Sequence, residues 1–353
     1  MARSLRAPRV AAVLTSALLI LTTAACGGGS EDSKGSDDTG EKAGTSGSAF
    51  PVTIAHKYGE AKIPSQPKRI VTLGLTDQDA VLALGEVPVG SMDWIGNFKG
   101  TVGPWAEDEL GDAEPPTVLK DTGTGPQIEK VAALDPDLII SVYGGLTKEQ
   151  YETLSKFAPV VAQPKKYQDY GVPWQEQATI IGKALGKSDQ AAKAVADVEA
   201  KFKATARPEF KNATAVMGTP YEGIFVYGSQ DPRSRLLTNL GFTLPSGLDK
   251  AIGGKFGANI SKERTDLLDQ DTIVWMVGDV AKDSAKLRKD PSYGDLKVVK
   301  EGREVYIHET SDYGHAATFG TVLSLPYVLD RLGPQLAAAV DGKKETPVEQ
   351  PAS

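Results

Sequence analysis

The chain has one cysteine, Cys26, and three histidines, His56, His308 and His315. A lone thiol cannot close an internal disulfide, so pairing says nothing about the redox state of the surroundings. Three imidazoles are too few for a dedicated zinc or manganese centre, which draws on several histidines plus carboxylates. His308 and His315 flank Glu309-Thr310-Ser311-Asp312-Tyr313-Gly314, where a metal can be imagined, but solvated loop histidines are the expectation and no metal site is assigned. A Gly-x-Ser-x-Gly elbow, a His-Glu-x-x-His helix and a Walker loop are also missing, so there is no candidate catalytic residue and no enzyme is expected. Positive charge is not in excess either. A formal net charge of −7 argues against nucleic acid or an anionic membrane held by the whole surface. What is present is globular: 40% hydrophobic and 24% charged residues in 353 allow a sizeable core and two domains of ordinary size.

Long apolar runs are scarce as well. The one near the start, Val10 to Leu21, is too short for an ordinary transmembrane helix. It comes after Arg3, Arg6 and Arg9 and precedes the small residues Thr22 to Ala25, the layout of an export signal. Cys26 comes directly after Ala24-Ala25 and before Gly27. This resembles a bacterial lipobox, with Thr23 where Leu is usual, and the resemblance implies that Cys26 is lipidated, with palmitate among the acyl groups, and becomes the mature N-terminus. The alternative is an ordinary secreted protein with an incidental cysteine. From Gly27 to Ala49 the chain is Gly, Ser, Asp, Thr, Glu and Lys with scarcely an apolar residue, too polar to order itself. Such a linker reaches about 25 Å.

The stretch from Trp174 to Arg207 organises the rest of the chain. Its second half is made of strong helix formers, with Ser188 or Asp189 as N-cap and Pro208 as stop. Val195, Val198 and Phe202 fall at i, i+3 and i+7, one stripe of a helix. Twenty residues of helix span about 30 Å, enough for a strut between two lobes. On either side, short apolar strands alternate with helical segments, the mark of mostly parallel sheets. Glu129-Lys-Val-Ala-Ala-Leu-Asp-Pro-Asp-Leu-Ile-Ile140 also aligns without a gap on Glu263-Arg-Thr-Asp-Leu-Leu-Asp-Gln-Asp-Thr-Ile-Val274, as two lobes built on one plan would. The predicted fold class is therefore α/β, two mostly parallel lobes joined by one long bridging helix. Residues 1–25 are read as the signal peptide, 26–49 as the lipidated cysteine and disordered linker, and 50–173 as the N-terminal lobe. The bridging helical segment is 174–207, the C-terminal lobe 208–340, with a final helix from about Phe319 to Leu332, and 341–353 is a flexible tail.

Pro67-Lys-Arg-Ile-Val-Thr-Leu73, Val81-Leu-Ala-Leu-Gly85, Ile128 to Ile140, Ile180-Ile-Gly-Lys-Ala-Leu-Gly186 and Ile260 to Trp275, in that order and spacing, resemble the substrate-binding lipoproteins of iron-siderophore ABC importers, a group that includes haem- and cobalamin-binding members. The resemblance covers most of residues 50–335. It implies a class III periplasmic-binding-protein fold, a monomer tethered by its lipid to the outer face of the cytoplasmic membrane, a ferric siderophore as ligand and an ABC permease as partner. Haem or cobalamin on the same scaffold is the alternative, and a secreted two-lobed enzyme a more distant one.

In two-lobed α/β binders the ligand sits between lobes, against strand ends. Trp94, Tyr143, Tyr227, Arg233 and Arg235 come after strands, Tyr170 and Trp174 lead into the strut, and Tyr313 lies in the last long loop. These are the candidate ligand-binding residues, aromatic faces for the chelate's apolar backbone and guanidinium forks for its oxygens. For Trp94, Tyr143 and Tyr227 the other reading is lobe core, and Arg233 could instead close its own Asp231-Pro232 turn. Trp275, inside a strand, is expected in the core. The family docks to its permease through one exposed acidic residue on each lobe, and Glu129 and Glu263 occupy the matching positions, although either could simply favour the positive end of its helix.

Overall fold

A computed structural model describes residues 49–343 and 346–350, so the expected signal peptide, Cys26 and nearly all of the linker lie outside the described residues. The described chain opens on a β-hairpin that periodicity did not reveal, β1 (Val52–His56) and β2 (Gly59–Ile63). In β1, Val52, Ile54 and His56 are buried while Thr53 and Ala55 are exposed, the period-2 alternation of a half-buried strand.

Beyond the hairpin lie two separate five-stranded sheets. The first contains β3 (Ile70–Thr72), β4 (Gly90–Met92), β5 (Thr117–Leu119), β6 (Leu138–Ser141) and β7 (Val160–Ala162), ordered β5-β4-β3-β6-β7 with every pairing parallel. The second contains β8 (Ala215–Thr219), β9 (Ile224–Tyr227), β10 (Gly257–Ile260), β11 (Thr272–Val277) and β12 (Glu304–His308), ordered β10-β9-β8-β11-β12. Numbered within each lobe, the order is the same. The lobes differ in one respect: β8–β9 and β9–β10 are antiparallel, whereas β8–β11 and β11–β12 are parallel. Only residues 220–223 connect β8 to β9, too short for the crossover that parallel strands require. The interior strands β6 and β11, each paired on both sides, are buried along their whole length, as their largely apolar runs demand.

The sequence echo has a physical counterpart. Asp137, just before β6, accepts hydrogen bonds from the backbone N–H groups of Lys68 and Arg69 (both 2.8 Å), which enter β3. Asp271, its aligned partner before β11, accepts from Thr214 N–H (2.8 Å) at the entry to β8. In each lobe the matching carboxylate ties the two adjacent interior strands at the same end.

Between the sheets stand two helices rather than one, Trp174–Ala184 and Ser188–Thr205. Gly186, at φ +69°, breaks them, because a residue with a Cβ is strained there. Ser188 is the first helical residue and Lys187 the N-cap. The two helices pack on each other where Gly182 faces Ala191, since a Cβ on Gly182 would lie 2.3 Å from that methyl. Val198 and Phe202 are buried, and Val195 packs partly buried on the same core. That core is continuous. It joins Ile140 and Val161 of the first lobe, Ile181 and Phe202 of the bridge, Met217 and Val274 of the second lobe, and Leu329 and Leu332 of the last helix. Trp275 is fully buried on the other face of β11, its indole N–H donating to the Tyr293 hydroxyl at 2.7 Å.

The C-terminal end departs from expectation. Instead of one helix over 319–332 there are two, Asp312–Phe319 and Ser324–Ala339, with Gly320 at φ +59° after the first. The tail is not free along its length either. Tyr306 N–H donates to Gln350 Oε1 (2.7 Å), Gln350 Nε2 donates to the Glu304 carbonyl (3.1 Å), and Gln335 Nε2 donates to the Glu349 carbonyl (2.9 Å). The Gln350 amide thus pairs with the open edge of β12 much as a neighbouring strand would.

Gly182→Val tests the bridge. The added side chain must part the two helices, and the loss in urea unfolding is expected to be about 1–3 kcal/mol, the usual range for overpacking. Unchanged stability would mean that the helices do not approach so closely.

Candidate ligand-binding cleft

The lobes meet along an aromatic seam centred on Phe319, the last residue of the Asp312–Phe319 helix. Its ring lies 5.2 Å from that of Trp94 and 5.7 Å from that of Tyr143, both on the N-terminal lobe. From its own side the Arg233 guanidinium approaches at 5.7 Å. Further along, Phe98 presents its edge to His315 at 5.3 Å.

Tyr143 is set in place by a buried carboxylate. Asp77, in the first turn of the helix after β3, accepts from the backbone N–H groups of Val142 (2.8 Å) and Tyr143 (3.0 Å) and from Gln177 Nε2 (2.8 Å) on the bridge. It therefore joins the loops after β3 and β6 to the Trp174–Ala184 helix. Complete burial raises its pKa, with the hydrogen bonds from Gln177, Tyr143 and Val142 opposing. Burial also raises the Tyr143 hydroxyl, Asp231 adding to it and Arg233 and Arg235 opposing, so Tyr143 stays a neutral phenol. Tyr227 is raised by burial in the same way.

On the other lobe, Asp231 caps the Pro232–Asn239 helix through Arg233 N–H and grips the Arg233 guanidinium with both oxygens, Nε to Oδ1 and Nη2 to Oδ2, each at 2.8 Å. The guanidinium lies 3.8 Å over the Tyr227 ring, a cation–π contact. Burial works against its charge, but the Asp231 carboxylate more than offsets this and holds its pKa above the ordinary value. Arg233 is thus engaged within its own lobe, closing its own turn as the simpler alternative had it. Arg235 instead reaches across. It donates through Nη1 to the Gly171 carbonyl (2.9 Å) and through Nη2 to Gln230 Oε1 (3.2 Å).

Between these walls lies a narrow cavity of about 20 Å³, lined by Thr76, Tyr143, Trp174 and Gln177 on one side and by Arg235, Leu236, Asn239 and Phe319 on the other. Trp174 stacks on Phe202 of the bridge at 6.3 Å. The indole nitrogens of Trp94 and Trp174 and Nδ1 of His315 are buried without a hydrogen-bond partner among the described residues. Tyr170, 44% exposed and at φ +59°, stands at the rim against Tyr143 (6.0 Å). Tyr143, Trp174 and Arg235 therefore line the cavity, while Trp94 and Arg233 adjoin it through Phe319, Tyr170 through Tyr143 and Tyr227 through Arg233.

Tyr313 is not among them. It is buried in the core, its hydroxyl bonding Gln335 Oε1 at 3.0 Å, because its helix turns that face towards the Ser324–Ala339 helix. Phe319 was missed, since a single helix over 319–332 hid the break at Gly320 that places its ring in the seam. Phe98 was missed because no strand directly precedes it. Glu129 and Glu263 are exposed, each in the first turn of a short helix ahead of β6 or β11, and neither carboxylate has a partner among the described residues. No group of three or more potential metal ligands occurs among the described residues.

A second contact between the lobes is polar. Asp79, wholly buried, accepts from Trp105 Nε1 (2.8 Å) and from the Thr321 hydroxyl (2.6 Å) across the junction, while its Oδ1 has no partner. Desolvation pushes its pKa up to about 6, against the hydrogen bonds of Thr321 and Trp105.

Two α/β lobes of one strand order, a helical bridge and a cleft between them define a two-lobed binding protein. Residues 70–310 match the periplasmic binding protein family, and the chain belongs to that family. A Bacillus subtilis (strain 168) protein named as a substrate-binding lipoprotein of an ABC transporter, YhfQ, is 30% identical over 267 residues, 72% of this chain and 80% of the relative. Among solved structures, a periplasmic solute binding protein from Mycobacterium smegmatis (str. MC2 155) superposes with a TM-score of 0.71 at 32% identity, covering 82% of this chain and 98% of that one. The PiaA protein of Streptococcus pneumoniae TIGR4, in complex with ferrichrome, does so with a TM-score of 0.71 at 27% identity, covering 82% and 99%.

Asp79 generates a pH test. Folded, its carboxyl binds a proton more tightly than in the unfolded chain, so its contribution to stability is fully present below about pH 4 and lost as pH rises through 6. The term amounts to about 3 kcal/mol between those limits. Asp79→Asn should remove it, so that melting temperatures measured from pH 4.5 to 7.5 favour the variant increasingly at higher pH. Parallel profiles would show that Asp79 does not titrate in this range.

Proposed function

We propose that this chain is an exported, lipid-anchored substrate-binding protein that encloses a ferric siderophore between its lobes and hands it to an ABC permease. The observation that carries this reading is the seam itself. Aromatic faces from both lobes meet there: Tyr143, Phe319 and Trp174, whose buried indole N–H is unpartnered, line one cavity, and Trp94 packs on Phe319 beside it with its own indole N–H unpartnered. Large aromatic surfaces bind the apolar framework of a chelate, and the N–H donors meet its oxygens. Family membership and the likeness to a protein solved with ferrichrome point the same way. Iron is cargo held by the chelator, so the protein needs no metal ligands of its own and transforms nothing. Cys26 is the lipid attachment point. Glu129 and Glu263, exposed at matched places of the two lobes, are the docking residues for the permease.

Titrating the full chain with ferrichrome should quench tryptophan fluorescence saturably, and Phe319→Ala should weaken binding at least about tenfold through loss of the central ring. Haemin bound with a shifted Soret band, and no ferric chelate bound, would overturn this reading. Glu129→Arg and Glu263→Arg should each lower cellular iron uptake and leave ferrichrome affinity in vitro unchanged. A loss of affinity would remove the docking assignment.

A further inference from the structure

The charge inventory of the cleft narrows the class of chelate, and this step rests on the cleft being the binding site. Among the residues lining the cavity, Arg235 is the one with an ordinarily charged side chain. The other guanidinium of the cleft, Arg233, is matched by Asp231 through two hydrogen bonds, with the Asp231 side chain only 3% exposed. Arg233, Asp231 and Arg235 together carry a single positive charge. Part of Arg235's donor capacity already goes to the Gly171 carbonyl and Gln230 Oε1. The charges around the cleft are mostly negative: Glu309 acts on Tyr227 and, with Asp312, on His315, while Asp121 and Asp169 act on Tyr170 at the rim with Lys57, itself paired with Asp169, opposing them. The free donors, the indoles of Trp94 and Trp174, are neutral.

Iron chelates differ in charge by simple addition. A hydroxamate carries one negative charge, so three of them neutralise a ferric ion. A catecholate carries two, and three leave a triply negative complex. Closing the cleft on such a trianion would leave more negative charge than one guanidinium can compensate. Each uncompensated charge taken out of water costs several kcal/mol. A neutral complex gives up only hydrogen bonds to water, and neutral N–H donors replace them. We propose that the cleft selects ferric tris-hydroxamates, complexes without net negative charge, over polyanionic catecholate and citrate complexes of iron.

The test is competition by calorimetry on the full chain, with ferrichrome, ferric enterobactin and ferric citrate as probes. Ferrichrome should bind at least about a hundredfold more tightly than either anion, the discrimination expected from one uncompensated buried charge. Its affinity should change less than about threefold between 50 mM and 500 mM salt, because a neutral ligand has little charge to screen. Asn239→Lys places a cation on the exposed rim of the cavity and should narrow the preference about tenfold. Tighter binding of enterobactin or citrate than of ferrichrome would overturn the hydroxamate assignment and leave the ferric-chelate reading standing. Binding of none of the three would overturn both. An unchanged preference in Asn239→Lys would show that charge is not the basis of selection, and would also overturn the proposal.

Discussion

The architecture depends on one apolar core that does not stop at the lobe boundary. Side chains of the first sheet, of the two bridging helices, of the second sheet and of the last helix form a single buried cluster. Separating the lobes widely would expose that surface at about 25 cal/mol for each Å², whereas a small rotation about the bridge would not. The cleft lies beside the bridge, and Trp174 belongs to both, stacking on Phe202 in the core while lining the cavity. Motion that admits a ligand is therefore expected to be short-range, with the seam residues parting and the core intact.

The seam contains two kinds of contact with different energetics. Aromatic contacts around Phe319 are nondirectional enough to be exchanged for a ligand's apolar surface. The Asp79–Thr321 contact is directional and places a carboxylate where water is excluded. Arg233 belongs to neither kind. Held by Asp231 and stacked on Tyr227, it stiffens the wall of the cleft and removes a charge from the account of the ligand. Two arginines close together in sequence, Arg233 and Arg235, thus have different roles because only one lies beside a buried carboxylate.

Much of the fold was legible in the sequence. The strands came from short apolar runs between glycines and prolines, and the repeated Leu-Asp-x-Asp before β6 and β11 pointed to lobes of one plan. That signal survived because each final aspartate accepts backbone N–H at the entry to the neighbouring strand, Asp137 from two residues and Asp271 from one. Less legible were elements whose identity depends on pairing. The β1–β2 hairpin, the reversal of β9 and the docking of Gln350 on β12 are settled by what lies alongside them. Periodicity within a segment carries no record of that. The break at Gly320 was lost for a related reason, since the apolar pattern runs across it.

By itself the sequence determined that there would be two α/β halves, a helical strut and aromatic residues placed after strands, because periodicity, turn residues and helix propensity act over a few neighbouring positions. Only the tertiary structure decided which of those aromatics share a cavity, that Tyr313 turns into the core, that Phe319 occupies the centre, and that one guanidinium is already neutralised. Those outcomes depend on distances between residues far apart in the chain, and such distances are set when the core closes.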